Sequence, residues 1–402
     1  MHKVLYSVII ASLIAGVCCA ETLDGRTIKV TGGEQASVFV PVSIEYTGDV
    51  PDKAVQVIDK ATGKVCPATV AEGCLTFIVV ALAPKQEKMY EVKLVDQAAR
   101  RVTIMKKDGE DAADIVIQGK PFTTYHYSND AKKPYLWPVY VEGGETVTRN
   151  WPMDPEDKTS TDHVHQKSLW TAYGDINGID WWGEGDGSGT QHSDEVTFGS
   201  GDAYGWIKAK NTWQDKDGNA IIAEDRAYRF YNGPDSLRIL DATITFTAKY
   251  GDVKFGDTKE GGIMAFRIRP DIQGTRGGVI TNAEGLKGEK ECWGKPSAWT
   301  DYAGKIEGTG IRGIAVFDNP ANLRYPTRWH IRNYGLNGAN CFGLSYFTEK
   351  DPERLNGDYT VKDGESLTFK YRVAIHSGDA TEAKIADRHA DYLTPPKAEW
   401  AK

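Results

Sequence analysis

Short runs of alternating apolar and polar residues, cut every few positions by glycine, proline or aspartate, leave this chain few ways to fold. "TIKV", "SVFVPVSIEY", "AVQVID", "LTFIVVAL" and "MYEVKLV" follow one another within residues 26–96. Successive side chains of a strand point to opposite faces, so runs of this kind bury one face and wet the other. Their close turn spacing predicts a small β-sandwich. A charged stretch over 97–115 reads as a boundary, and from about residue 116 the strand-and-turn texture resumes. Only "DATEAKIADRHADYL" near the C-terminus reads as a helix of any length. The predicted fold is all-β, with an N-terminal β-sandwich domain over 21–110 and a large β-sandwich domain over 111–402.

Residues 1–20 have the form of a signal peptide: Lys3, an apolar run from Val4 to Val17, then Cys18, Cys19 and Ala20 before Glu21. Val17 is a poor neighbour for a lipidated cysteine, so simple export is expected, to the periplasm or outside the cell. No later run reaches the ~18 apolar residues of a membrane span. The net charge of −8 argues against nucleic acid as a partner. Four cysteines follow the leader. Cys66 and Cys74, in "CPATVAEGC", have the spacing of a hairpin disulfide in an exported chain.

Four segments share one pattern. In "GGIMAFRIRP", Met264, Phe266 and Ile268 fall on one strand face, with Arg267 and Arg269 opposite. "TRWHIRNYG" sets Trp329 and Ile331 against His330 and Arg332, and "FKYRVAIHSG" sets Tyr371, Val373 and Ile375 against Arg372 and His376. "DHVHQ" puts His163 and His165 together. A plain solvent face would mix Lys, Glu, Thr and Ser; arginine with histidine points to a surface for polar or anionic ligands, because the guanidinium fork matches carboxylate and sulfate. Glu260, just before the Arg267 strand, has the makings of a general base beside imidazole acids. An exposed Lys259–Glu260 turn is the competing account.

Between these strands, "YGDINGIDWW" offers an Asn177-Gly178 turn that would set Asp175 and Asp180 near Trp181 and Trp182, one for the core and one for stacking on a sugar ring. Asp301 and Tyr302 in "WTDYAG" and Arg324 in "NLRYP" complete the candidate binding residues. His163 and His165 are weak metal candidates: two imidazoles from one strand face need a third ligand, for which His126, His330 and Asp175 are available in sequence. No cofactor is expected, since the chain has no GxSxG, P-loop, dinucleotide fingerprint or HExxH.

At "PYLWPVYVEGGETVTRNWPMDPEDKTSTDHVHQKSLWTAYGDINGIDWW", "KEGGIMAFRIRP", "WTDYAGKIEGTGIRGIAVFDNPANLRYPTRWHIRNYGLNGANCFG" and "FKYRVAIHSG", residues 115–392 resemble the exported bacterial family labelled methane oxygenase PmoA. True particulate methane monooxygenase subunits span membranes several times, so the label is read as a misnomer. The resemblance implies an association with polysaccharide degradation. It departs at "DHVHQKSLW", where Gln166 stands in place of the family's common third histidine. A more distant similarity is to galactose-mutarotase-like supersandwich proteins, which implies a concave sheet carrying His, Arg and Glu, with histidine as acid and glutamate as base.

The expected function is that of an exported carbohydrate-active protein working on sugars or anionic oligosaccharides by proton transfer. His163, His165, His330 and Glu260 would be the acid/base set, and Arg267, Arg269, Arg332 and Arg372 an anion clamp. The alternatives are a non-catalytic glycan-binding protein and, third, a metal-dependent oxygenase.

Overall fold

The computed structural model describes residues 22–97 and 99–401. The expected signal peptide, with Cys18 and Cys19, lies outside the described residues. The fold is all-β, two sandwiches built from antiparallel sheets.

In the smaller sandwich, a five-stranded sheet (order 397–400, 27–31, 87–95, 54–59, 65–66) faces a three-stranded one (37–45, 74–82, 68–71). Ile28, Val30, Val40, Val42, Leu75, Phe77 and Val92 fill the space between, alternate residues of their strands as the pattern predicts. Two boundaries differ from the sequence reading. Val102–Lys106 is the edge strand of a large sheet, pairing antiparallel with Ala112–Ile117; the charged residues between them form a tight hairpin turn, and Val102 and Ile104 enter the large core. Lys397–Trp400 returns to the small sandwich and pairs with Thr27–Thr31.

The hairpin disulfide is also corrected, since Cys66 and Cys74 are free thiols. Cys66 pairs with Val57 in the five-stranded sheet, while Cys74 pairs with Glu45 and Ala71 in the other. The intervening residues cross between the two layers, and the real hairpin turns at Glu72-Gly73, both at positive φ. Burial, with Asp59 nearby, pushes the Cys66 thiol up to about 11, so native alkylation should spare Cys66. Peptide mapping without reductant should find both residues unlinked; a Cys66–Cys74 cross-linked peptide would contradict this pairing.

The larger sandwich packs two eight-stranded sheets face to face. The first runs 329–331, 336–339, 261–267, 169–173, 135–139, 120–126, 112–117, 102–106. The second runs 190–199, 204–214, 220–231, 237–247, 366–377, 310–317, 299–306, 279–282. Met264, Phe266, Ile268, Trp329, Ile331, Tyr371, Val373 and Ile375 all enter the core between them, the apolar faces expected from alternation. Outside the second sheet, the helix Ile385–Leu393 and part of the small sandwich cover Ile239, Phe317 and Ala374. Among the described residues no helix is long and apolar enough to cross a membrane.

Candidate functional site

The outer face of the first large sheet carries the chemistry. Register sets His126, Tyr135, Trp170, Ala265, Gly338 and His330 side by side across six strands. At roughly 4.8 Å per strand the row spans on the order of 24 Å. Ala265 and Gly338 are small and leave a depression that a larger pair would fill. Trp182 sits in it, its ring 5.3 Å from Trp170, 5.9 Å from His165 and 6.4 Å from His330. Trp182, not Trp181, is therefore the indole at this face. Trp181 points the other way, into the inter-sheet core against Trp213 at 5.6 Å. The Asn177-Gly178 turn exists as expected, joining Ile176 to Ile179, and Asp180 accepts hydrogen bonds from the Trp182 and Gly183 amides to fix the reversal.

The two expected histidines lie on an irregular segment, not on a strand. His163 has φ 45°, a left-handed conformation for a non-glycine residue, and its ring stacks on Tyr334 at 5.0 Å. Two arginines hold that segment. Arg149 donates to the carbonyls of Asp162, His163 and Gln166 at 2.7, 2.9 and 3.0 Å. Arg267 donates to Gln166 Oε1 at 2.6 Å and to both Asp162 oxygens, with its guanidinium 4.5 Å from the Tyr334 ring. Burial alone would raise the Asp162 carboxyl, but Arg267 and Arg149 hold it below its ordinary value.

Glu260 precedes the strand Gly261–Arg267 and comes up beside these rings. Its carboxylate pairs with Lys259. Burial works to raise it, and Lys259 with His330 and His165 brings it net below the usual range. His330 is almost fully buried and His165 half-buried; desolvation pushes each down to about 4. At neutral pH the site thus holds a carboxylate between two neutral imidazoles. One His330 nitrogen bonds the Lys259 backbone, whereas Nδ1 has no partner; the buried Nε1 atoms of Trp170 and Trp182 also have none. Beyond Trp182 lies a short ionic chain. Lys133 donates to the Trp182 carbonyl at 2.7 Å and meets Glu184 at 3.5 Å, and Lys167 meets Glu184 at 2.9 Å while covering the Tyr135 ring.

Because His165 and His330 take up protons more readily unfolded (near 6.5) than folded (about 4), each contributes stability that is present above pH 6.5. That stability is lost as pH falls toward 4. Melting temperature should drop steeply over this window, and His330→Gln should flatten the drop. An unchanged pH profile in the variant would contradict the buried neutral state.

The anion clamp does not form, because each proposed arginine already holds a carboxylate. Arg267 has Asp162; Arg269 has Glu145 and Asp271; Arg332 has Glu289 at 3.0 Å, at the rim of Tyr334; Arg372 has Asp241. Arg372 and His376 moreover belong to the second sheet and face the C-terminal helix side, with His376 bonding Asp301 at 2.7 Å inside the protein. Tyr302 Oη receives the Gly274 amide and donates toward the Asn333 carbonyl in the core. Arg324 donates to the carbonyls of Cys341 and Gly357, and Asp175 and Asn177 serve their own turn and the neighbouring strand. His163, His165, Glu260 and His330 do come together, with Arg267 and Arg332 behind them. Among the described residues no three His, Cys, Asp or Glu side chains form a group that could hold a metal ion. The sequence reading missed Tyr334, Lys133, Lys167 and Glu184. Tyr334 stands in the quoted "RNYG", where an aromatic follows two polar residues at a strand end, and that signal was available.

No curated protein matches the chain. Solved structures to which the chain is similar include an α-mannosidase from Enterococcus faecalis V583 (TM-score 0.45, 10% identity, 94% of this chain and 46% of that one). A protein in the glycosyl hydrolase family 38 from Enterococcus faecalis gives TM-score 0.46 at 10% identity, over 94% of this chain and 47% of that one. The Slr1438 protein of Synechocystis sp. PCC 6803 gives 0.27 at 8% identity, over 71% and 99%. The chain spans a little under half the length of the two Enterococcus proteins. None of these comparisons carries the methane oxygenase label. A family model does match, over residues 112–390, nearly the whole of the large sandwich, and the chain belongs to the Family of unknown function (DUF6807).

Proposed function

We propose that this is an exported carbohydrate-active protein, and that the outer face around Trp182, Tyr334 and Glu260 receives a sugar on which Glu260 acts as general base. The observation that carries the reading is the ionised Glu260 carboxylate beside the neutral His165 and His330, next to Trp182 and Tyr334. The half-buried phenol ring of Tyr334 suits the apolar face of a pyranose, while Trp182, 3% exposed, is largely covered and shapes the site from within. Glu260 would take a proton from the sugar, with the Lys259 ammonium or an imidazole as the returning donor. This is the proton economy of an epimerase, a lyase or a glycoside-cleaving enzyme.

One observation favours the second reading, a glycan-binding protein without turnover. Glu260 is capped by Lys259, and two of the three histidines are held in the form that cannot serve as an acid. Incubation with a panel of oligosaccharides, followed by chromatography of the products, separates the two. Glu260→Gln should reduce turnover by about 10²- to 10⁴-fold, with melting temperature nearly unchanged because the residue is half-exposed. Full turnover in the variant would sink the general-base role; binding without turnover in the native protein would establish the second reading.

A further inference from the structure

Two carboxylates near this site are each shared by two cations shut away from water. Asp162 lies between Arg149 and Arg267, both with 0% side-chain exposure. Glu184 lies between Lys133, at 1%, and Lys167, at 14%. Among the other described residues a shared carboxylate has at least one cation open to solvent: Glu72 holds Lys208 and Arg229, Asp235 holds Lys120 and Arg238, and Glu399 holds Lys29 and Lys397. Water screens the surplus charge in those places, but a desolvated surplus has no such relief. Burial is the main reason that these cations are held low, with the neighbouring cation adding to it. Burial, with Arg267 beside it, brings Arg149 down to about 10; burial, with Lys167 opposing Glu184, brings Lys133 down to about 8.

The two surpluses flank one place. Lys133 holds the Trp182 carbonyl, Lys167 is two residues from His165, and the Arg149–Asp162–Arg267 group carries His163. Lys133 spends its donors on Trp182, Trp181 and Glu184. Lys167 meets Glu184 and the Tyr135 face, and an ammonium has three donors. Asp180 acts on Lys133 and Asp157 on Arg149, offsetting part of the excess, and what is left for a partner is the donor capacity of Lys167.

We propose, resting on the carbohydrate reading above, that the saccharide taken by this face bears a carboxylate, a uronic acid unit, with its charge received on the Lys167 side of Trp182. Arg149 and Arg267 spend their donors on Asp162, Gln166 and backbone carbonyls, whereas Lys167 meets only Glu184 and the Tyr135 face. A charge-assisted hydrogen bond is strong enough to make the acid form bind roughly tenfold or more tighter than a neutral one.

The test uses oligosaccharides of galacturonate, glucuronate and mannuronate, each paired with its carboxyl-reduced counterpart, titrated calorimetrically into the purified protein at low and high salt. At least one acid form should bind tenfold or more tighter than its reduced partner at low salt, and the ratio should shrink as salt rises. Lys167→Gln should bring the ratio close to one, and Lys167→Arg should keep most of it. Equal affinity for acid and reduced forms in the native protein would overturn the uronate proposal while leaving the carbohydrate reading standing. So would a ratio untouched in a folded Lys167→Gln variant. If no member of either series binds, the carbohydrate reading falls and this proposal with it.

Discussion

Arg226→Met is expected to destabilise the protein by about 3–5 kcal/mol, the cost of leaving one partner of a buried ion pair alone. Arg226 and Glu224 both have fully buried side chains in the inter-sheet core. Glu224 Oε2 receives Arg226 Nη2 at 2.9 Å and Trp213 Nε1 at 2.6 Å. Arg226 also donates to Gln191 Oε1 at 3.1 Å, whose amide in turn donates to the Thr171 carbonyl on the opposite sheet. Methionine would fill the volume yet leave Glu224 without its cation, away from water. Urea unfolding measures the loss. The double variant Arg226→Met/Glu224→Gln should recover a good part of it, since no charge then needs a partner. A loss below about 1 kcal/mol in the single variant would show that the pair contributes little beyond packing.

Arg149→Ala should have a comparable effect on stability and a larger one on function. The guanidinium serves three backbone carbonyls and the Asp162 carboxylate at once, and no other side chain of the segment replaces them. Losing it frees the stretch that presents His163 and His165 and leaves Arg267 as the one arginine on Asp162. Hydrogen exchange over 150–168 should accelerate strongly, and sugar binding should disappear. Arg149→Lys should not rescue, because one ammonium cannot reach a set of acceptors arranged for a planar fork. Arg267→Ala follows the same logic and lowers the melting temperature as well. An Arg149→Ala protein with native exchange in this segment would contradict the anchoring role.

These two arginines also mark where the sequence stopped being legible. Alternation placed Phe266, Ile331 and Val373 in the core, because the period of a strand is a local property. It also placed Arg267, His330 and Arg372 on the opposite faces, which is where they are. Local pattern does not say which sheet a strand joins. The strand Ser366–Ser377 pairs with Leu237–Thr247 and Gly310–Phe317 in the second sheet, so Arg372 and His376 ended up behind the site instead of in it. Nor does it show whether an arginine is free: Asp241 and Asp162 lie 131 and 105 residues from Arg372 and Arg267. Glu224 and Arg226 run against alternation altogether, two charged residues on an inward face that only each other's presence makes tolerable. The histidines and Glu260 were legible as chemistry, and Tyr334 and Lys167 were hidden because their relevance depends on what the fold lays next to them.

The sugar is expected on the outer face of the first large sheet. A crystal soaked with the tightest-binding oligosaccharide of the titrations should show a pyranose ring against Tyr334, a hydroxyl or ring position within hydrogen-bond reach of Glu260, and a carboxylate toward Lys167. A sugar bound instead on the small sandwich, or on the exposed half of the second sheet, would contradict this placement.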